Sequence, residues 1–284
     1  MALIPPFFPD CVVAIGVDSS EGERKCVASG FLYGHHVADL EDGQKQYMVY
    51  LVTNRHVFEG MSKVYLRFNP RAEGPAREYT LNLLDKNNSP LWFADSTPKI
   101  DVAVIRINLE LLKGRAMQAD YFRSDQHAAS IEKLNELGIT EGDFAYILGF
   151  PMGLIGGERN TAIVRSGSIA RIRDTLAKAN REFLVDAFVF PGNSGGPVIS
   201  KPEALSIQGT KSQSTAYLIG IVKSYVPYQD VAVSLQTKRP RVVFEENSGL
   251  AAVHPIDLIE DAIEKHLKTV KANEKQEEQI DDCV

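Results

Sequence analysis

The sequence has few cysteines for its length, with three among 284 residues. Secreted proteins of modest size commonly have more, because disulfides stabilise small cores in oxidising compartments. Cys11 and Cys26 flank a predicted hairpin whose register places Cys11 opposite Leu32 rather than Cys26, which argues against a disulfide between them. We therefore expect a cytoplasmic protein with free thiols.

Long apolar runs and excess positive charge are also absent. No stretch approaches the roughly 20 apolar residues that a transmembrane helix requires, and the first ten residues lack the features of a signal peptide. The formal charge of −6 gives no reason to expect nucleic acid or a membrane surface as a partner. Histidines and cysteines do not occur at metal-ligand spacings, so we expect no metal and no other cofactor.

Short β-rich segments separated by Gly, Asp and Pro make up most of the chain. They form two groups of six, and helical segments do not alternate with them as in βαβ units. This pattern predicts an all-β protein with two six-stranded antiparallel β-barrels. The first group comprises 11–17, 26–33, 46–53, 63–68, 79–84 and 102–107, and the second comprises 144–148, 161–172, 183–188, 196–199, 216–223 and 250–253.

Two segments outside the strands have helical patterns. A helix capped by Ser124 or Asp125 and ended by Gly138 would connect the barrels, and Pro255 suits the start of a C-terminal helix. The residues after 270 are mostly charged or amidic, which predicts a disordered tail. The predicted parts are the N-terminal barrel 1–112, the connection 113–141, the C-terminal barrel 142–254, the helix 255–270 and the tail 271–284.

A serine lies between glycines immediately before a predicted strand, in the segment Phe-Pro-Gly-Asn-Ser-Gly-Gly-Pro-Val at 190–198. Flanking glycines allow a tight turn that exposes a hydroxyl and lets backbone amides approach a developing oxyanion. Ser194 is therefore the candidate nucleophile, and the amides of Gly192 and Ser194 are the candidate oxyanion hole. The same residues would also suit an ordinary turn between strands.

A serine nucleophile needs a neighbouring base, and that base needs an acceptor that orients it. His56 follows an apolar strand at a short polar break, whereas the other five histidines have structural explanations. Asp101 directly precedes an apolar strand, and Asp95 is a rival for the orienting role. The residues alone indicate a set of His56, Asp101 and Ser194.

Three blocks together resemble the motifs of trypsin-like serine peptidases, in that family's order of His, Asp and Ser. They are Asn-Arg-His-Val at 54–57, Lys-Ile-Asp-Val-Ala-Val at 99–104 and Gly-Asn-Ser-Gly-Gly-Pro at 192–197. Segments 142–153 and 165–169 are similar to the bacterial HtrA/Deg-type branch, although we expect no PDZ domain after the last helix. The resemblance extends over residues 10–265 and implies the chymotrypsin fold.

The resemblance implies a serine endopeptidase that acts on proteins or peptides through an acyl-enzyme intermediate. His56 would be the base, Asp101 the orienting group and Ser194 the nucleophile. Asn193 stands where many secreted relatives have an aspartate that binds a new N-terminus, so we do not expect activation by that route. The role of Arg55 is not evident from the sequence.

The resemblance also implies where a substrate would lie. Val222, Lys223 and Ser224 would form the strand edge to which the substrate backbone adds. Phe188 would lie at the base of the pocket for the residue before the scissile bond, which favours small or medium apolar side chains over Lys or Arg. The segment 225–249, which we predict to be a loop, would border this pocket.

Two other functions fit the same sequence. A catalytically latent trypsin-like module would bind peptides or a partner protein through the same groove. An esterase would use the same three residues on a different substrate. The sequence also leaves open whether a regulatory protein partner governs activity.

Overall fold

The structure is a computed structural model that describes residues 4–20 and 22–281, with side chains described as far as Val270. The described residues form fourteen strands and six α-helices. The strands are β1 (Val12–Asp18), β2 (Arg24–Asp39), β3 (Lys45–Thr53), β4 (Lys63–Phe68), β5 (Arg77–Asn82), β6 (Phe93–Ala94), β7 (Ala103–Arg106), β8 (Phe122–Arg123), β9 (Phe144–Gly149), β10 (Ile163–Arg171), β11 (Phe183–Asp186), β12 (Pro197–Ser200), β13 (Leu218–Val233) and β14 (Pro240–Pro255). The helices are α1 (Arg55–Phe58), α2 (Leu109–Gly114), α3 (Ser124–His127), α4 (Ile131–Leu137), α5 (Arg173–Leu176) and α6 (Asp257–Asp281).

The N-terminal strands form one curved sheet in the order β5-β4-β1-β2-β3-β7-β6, with β8 paired to β2. The two ends of the sheet approach each other: the Leu91 amide, just before β6, donates to the Leu83 carbonyl, just after β5, at 2.9 Å. Alternate apolar residues of the strands fill the interior, among them Val13, Leu32 and Leu51. The six predicted strands are confirmed here, and the two-residue strands β6 and β8 add to them.

The C-terminal strands form a closed barrel in the order β10-β11-β14-β13-β12-β9. All its strand pairs are antiparallel. Ile147, Val185, Val198 and Ile219 point into its apolar interior and are fully buried. Closure satisfies the edge hydrogen bonds that an open sheet would expose. The predicted all-β, two-barrel architecture is thus confirmed.

Strands β13 and β14 are longer than predicted, at 16 residues each. Beyond the barrel they continue as a two-stranded ribbon, residues 226–247, which we call the arm. Its register pairs Val231 with Val243 and Ala232 with Val242. The segment 225–249, predicted to be a loop, is therefore mostly β-structure, because valines on both strands pair across it.

The helix predicted between the barrels is divided in two: α3 covers Ser124–His127, and α4 follows after a break at residues 128–130. Ser130 caps α4, since its hydroxyl accepts a hydrogen bond from the Lys133 amide at 3.3 Å. Ala129 lies outside the helix because its amide donates to the Leu218 carbonyl of β13 at 3.0 Å. Gly138 ends the helix with φ of 76°, as the sequence predicts.

Helix α6 packs over a third apolar cluster that lies between the two barrels. Ile259 and Ile263 are fully buried in this cluster, together with Tyr50 of β3 and Ile221 of β13. The helix continues to Asp281 rather than ending at residue 270, and its last turns consist mostly of residues with good helix propensity. Residues 282–284, with Cys283, lie outside the described residues. Within the described ranges, no helix combines the length and apolar character needed to span a membrane.

The register of the first hairpin keeps Cys11 and Cys26 from pairing across it. Val12 pairs with Phe31, which leaves Cys11 level with Leu32, while Cys26 pairs with Gly16. Both thiols are free. The prediction that they do not form a disulfide with each other is therefore confirmed.

Candidate active site

Strand pairing brings His56 and Asp101 together. Thr53 at the end of β3 pairs with Ala103 at the start of β7, so α1 and the loop before β7 lie side by side. His56 Nδ1 lies 2.7 Å from Asp101 Oδ2, and the His56 amide donates to Asp101 Oδ1 at 3.0 Å. This geometry places the Nδ1 proton on the carboxylate side and leaves Nε2 free to accept a proton.

The Asp101 carboxylate stays ionised under neutral conditions. Burial raises its pKa, but the hydrogen bonds and charge of His56 outweigh that effect and lower the pKa below its usual value. The Asn54 side-chain amide donates to the Asp101 carbonyl at 2.6 Å, which fixes the loop from the other side. An ionised, held carboxylate orients an imidazole and stabilises its protonated form.

The rival carboxylate Asp95 is engaged elsewhere. It pairs with Lys265 of α6 and accepts a hydrogen bond from the Thr97 amide at 2.7 Å. Arg55 donates to the Pro98 carbonyl at 3.1 Å and so holds the loop between the two aspartates. Asp101, and not Asp95, therefore contacts His56. Arg55 holds the loop before Asp101, a role that the sequence did not indicate.

The turn that carries Ser194 requires its glycines. Gly192 has φ of 100°, and a Cβ there would lie 2.3 Å from the Phe150 carbonyl oxygen. The Asn193 amide donates to the Phe190 carbonyl at 2.9 Å, and its side-chain oxygen accepts from the Phe190 amide at 3.0 Å. Among the described residues, the amides of Gly192 and Ser194 have no hydrogen-bond acceptor. Two free amides beside a half-buried serine can stabilise an oxyanion.

Ser29 of β2 ties the first barrel to this turn, and sequence reasoning missed it. Its amide donates to the Ser194 carbonyl at 2.9 Å, and its hydroxyl donates to the Gly192 carbonyl at 2.6 Å. The same hydroxyl accepts from the Phe150 amide at 2.9 Å. The only signal in the sequence is a small polar residue inside an otherwise apolar strand, since the partners are more than 100 positions away.

His254 of β14 is a second residue that the sequence did not single out for function. Its Nε2 accepts a hydrogen bond from the Asp101 amide at 3.1 Å, and its Nδ1 lies 3.0 Å from the Arg181 carbonyl. An accepting Nε2 and a donating Nδ1 define the neutral tautomer. Burial lowers the pKa of His254, which favours this same neutral form.

Of the site residues predicted from the sequence, all except Gly192 and Phe188 line one cleft of about 280 Å³. Phe188 is outside its lining: this side chain is 52% exposed and stacks on Phe190 with ring centroids 6.5 Å apart. The buried Val189 and its neighbour Phe190 line the cleft, whereas Phe188 does not. The cleft is lined by His56, Asp101, Val189, Phe190, Pro191, Asn193, Ser194, Val222, Lys223, Ser224 and Tyr225.

The charge of Lys223 inside this cleft is compensated. Its ammonium group lies 2.8 Å from a carboxylate oxygen of Glu182. The apolar part of the wall comes mainly from Val189, Phe190 and Val222. In the part of the chain with described side chains, no three His, Cys, Asp or Glu residues are arranged to hold a metal ion.

Comparison with known proteins finds one matching family and several similar proteins. The family model of the trypsin-like peptidase domain matches residues 28–205, well over half of the chain. The chain is 30% identical over 154 residues to proteins named probable periplasmic serine endoprotease DegP-like from Chlamydia pneumoniae and from Chlamydia trachomatis serovar D. A protein of the same name from a Marinomonas species is 24% identical over 183 residues.

These alignments cover 53%, 53% and 63% of this chain, but only 24%, 24% and 28% of the three relatives. The chain thus spans about a quarter of the length of the relatives it matches.

Proposed function

The chain belongs to the family of trypsin-like peptidase domains, and from this premise we propose that it is a serine endopeptidase acting through His56, Asp101 and Ser194. The observation that carries the proposal is the 2.7 Å contact between His56 Nδ1 and Asp101 Oδ2, at the edge of a cleft that Ser194 also lines. The substrates are proteins or peptides.

Acylation begins when the Ser194 hydroxyl oxygen attacks the carbonyl carbon of the scissile bond. His56 Nε2 accepts the hydroxyl proton, and the negative charge on the carbonyl oxygen is stabilised by the amides of Gly192 and Ser194. The tetrahedral intermediate collapses, the C–N bond breaks, and His56 gives its proton to the leaving amine. The product of this half-reaction is an ester on Ser194 and a released amine fragment.

Deacylation repeats the sequence with water as the nucleophile. His56 accepts a proton from the water as it attacks the ester carbonyl, and then returns that proton to the Ser194 oxygen as the C–O bond breaks. Asp101 remains ionised and stabilises the imidazolium in both halves. The chain's own residues supply every proton transfer in this scheme.

Substrate preference follows from the cleft wall. Val189, Phe190 and Val222 favour a small or medium apolar side chain before the scissile bond, and Glu182 is paired with Lys223 instead of being free for a cationic substrate. Cleavage profiling with a peptide library should show this apolar preference. Strong selection for Arg or Lys would contradict it.

Hydrolysis of an unfolded protein tests the endopeptidase proposal. The variants Ser194→Ala and His56→Ala should each lose about 10⁴-fold in turnover. Ser166→Ala on the exposed surface of β10 is the matched control and should keep full activity. A wild-type protein that binds peptides in this cleft without cleaving them would support the latent binding module instead, and cleavage of esters alone would support the esterase.

The proposed location is the cytoplasm, on the evidence of few cysteines and the free thiols of Cys11 and Cys26. The three similar proteins are named periplasmic. Fractionation of cells that express the chain under its own promoter would distinguish the two compartments.

A further inference from the structure

The arm, residues 226–247, is continuous with the cleft. Strand β13 passes from the barrel through Val222 and Ser224, which line the cleft, and continues to Val233 at the far end of the arm. On one side β14 pairs with β13 over this whole length. On the other side β12 pairs with β13 only as far as Ile221, and no described strand takes over beyond that point. A single open strand edge therefore leads from the cleft along the arm.

The arm exposes apolar side chains that the barrel does not cover. A two-stranded ribbon is at best marginally stable on its own in water, and contiguous exposed apolar surface commonly marks a binding site. Because side chains alternate along a strand, these residues are presented on both faces of the ribbon. Six of them are between 43% and 58% exposed, namely Tyr228, Val231, Val233, Val242, Val243 and Phe244.

We propose that the arm binds the part of an extended polypeptide substrate that precedes the scissile bond, and that it favours segments with apolar residues at alternate positions. The inference rests on the proposed endopeptidase function. Every strand pair in the C-terminal barrel is antiparallel. A substrate that adds to β13 in the same sense lies with its upstream residues along the arm.

The length of the arm sets the length of the segment that it recognises. From Tyr225 to Val233 a strand rises about 26 Å at roughly 3.3 Å per residue, which corresponds to about eight substrate residues. Pro227 lacks an amide proton, so the backbone ladder is interrupted near the base of the arm. Recognition farther out therefore depends on side chains, and cross-strand pairs such as Val231 and Val243 supply the apolar contact.

The substrate class that fits is an unfolded or extended chain. A folded protein keeps alternate apolar residues inside its own sheets, where they cannot reach the arm. The arm would thus direct cleavage to sites that follow an exposed β-prone segment. Short peptides that fill only the cleft would gain nothing from it.

Two matched peptides test this inference. Both contain the same cleavable core, and each has a twelve-residue N-terminal extension, one of alternating Val and Ser and the other of alternating Gly and Ser. For the wild type, we expect the Val-Ser peptide to have at least a tenfold higher kcat/KM, through a lower KM. In the double variant Val231→Ser, Val243→Ser this advantage should disappear, while cleavage of the core peptide stays unchanged. Val37→Ser, at a 50% exposed valine of β2, is the control and should keep the advantage.

Binding to Ser194→Ala protein separates this inference from the proposed function. Fluorescence anisotropy with labelled extensions should show tighter binding of the Val-Ser peptide, and the two arm substitutions should abolish the difference even if no variant cleaves anything. Equal binding of both peptides, or an advantage that survives in the arm variant, would overturn the inference. Sedimentation velocity tests whether a second copy of the chain occupies the arm instead. A dimer that dissociates when the arm is substituted, with peptide binding unchanged, would overturn the inference and assign the arm to dimerisation.

Discussion

At the scale of single residues, His254 links the second barrel to the carboxylate that orients His56. Its ring accepts from the Asp101 amide and donates to the Arg181 carbonyl, so both ring nitrogens are used and the ring is neutral. Glu182, Lys223 and Asp101 are the charged groups that act on it. Protonation of Nε2 would replace an acceptor with a donor that faces the Asp101 N–H. His254 is thus a positioning residue whose role depends on its protonation state.

Two substitutions of His254 test whether its hydrogen-bond acceptor, and not the imidazole ring as such, supports the site. His254→Leu leaves the partly buried Asp101 amide without an acceptor, at a cost of about 1–3 kcal/mol, and we expect kcat/KM to fall about tenfold or more. His254→Gln offers an amide oxygen and should restore most of this loss. In the wild type, protonation of His254, whose pKa burial lowers below the usual 6.5, should steepen the acid limb of the kcat/KM profile. In His254→Gln that extra steepening should be absent, and an unchanged acid limb would argue against the positioning role.

The glycine after Ser194 offers a test of backbone packing. Gly195 has φ of 83°, and a Cβ there would lie 2.1 Å from the Ser29 carbonyl oxygen and 2.3 Å from Thr53 Oγ1. Gly43 has φ of 78° with nothing within 4 Å of the same position. Gly43→Ala should cost about 1–2 kcal/mol for the left-handed conformation alone. Gly195→Ala should cost a further 1–3 kcal/mol or so from overpacking. Equal losses in urea unfolding would contradict this account of the turn.

The residues that sequence reasoning found and missed differ in one respect. Ser194 and His56 lie in local patterns, a glycine turn and a polar break after an apolar strand, and both patterns are visible within ten positions. Ser29 and His254 act on partners 163 and 153 positions away. Their neighbours are determined by strand order, which no local pattern specifies.

At the scale of elements, α6 contributes to the core between the barrels. Ile259 is fully buried there, so Ile259→Ala should lower the free energy of unfolding by about 2–5 kcal/mol. Lys268 is 76% exposed on the same helix, and Lys268→Ala should change the free energy of unfolding by less than about 0.5 kcal/mol. Chemical denaturation of both variants measures the difference. Similar values for the two would mean that the helix does not pack as described.

Element boundaries were predicted best where apolar patterning and turn residues agree. Strand β4 matches its prediction residue for residue, because a buried alternating run ends at polar residues on both sides. The sequence pattern did not predict the arm. Its strands pack on no core, so apolar and polar residues do not alternate along them. The helix predicted between Ser124 or Asp125 and Gly138 is interrupted between α3 and α4, since a tertiary hydrogen bond from the Ala129 amide to the Leu218 carbonyl holds the residues between the two helices extended.

At the scale of the whole molecule, buried histidines should make stability depend on pH. Burial is the main cause that lowers the pKa of His127, His254 and His266 below the usual 6.5. These histidines bind protons more readily in the unfolded chain than in the folded protein. Their contribution to stability is therefore present above pH 6.5 and is lost as the pH falls through their pKa values in the folded protein. His35 has the opposite sign, since its hydrogen bond to Glu260 raises its pKa, and its contribution is lost as the pH rises.

With three histidines against one, the free energy of unfolding should fall as the pH is lowered below 6.5. Urea denaturation between pH 7.5 and 5 measures this, and His35→Gln should make the decline steeper by removing the opposing contribution. A protein that becomes more stable on acidification through this range would contradict the assignment of the three rings as neutral.

The two-barrel architecture could be predicted from strand count and spacing alone, and the motif order then identified the family. What the sequence could not supply is how the barrels meet. Besides the apolar cluster under α6, that interface includes single polar contacts, such as Ser29 to Gly192 and His254 to Asp101, made by residues whose local context is ordinary. The cleft and the placement of His56, Asp101 and Ser194 around it arise from this interface.

Labelling with a fluorophosphonate probe tests the central claim most directly, because the probe reacts with a serine only when that serine is activated. Peptide mass mapping of the labelled wild type should locate the adduct on Ser194. Labelling should be lost in His56→Ala and retained in Ser166→Ala. A well-folded wild type that does not react, or an adduct on a different serine, would contradict the proposal that His56, Asp101 and Ser194 form a working catalytic site.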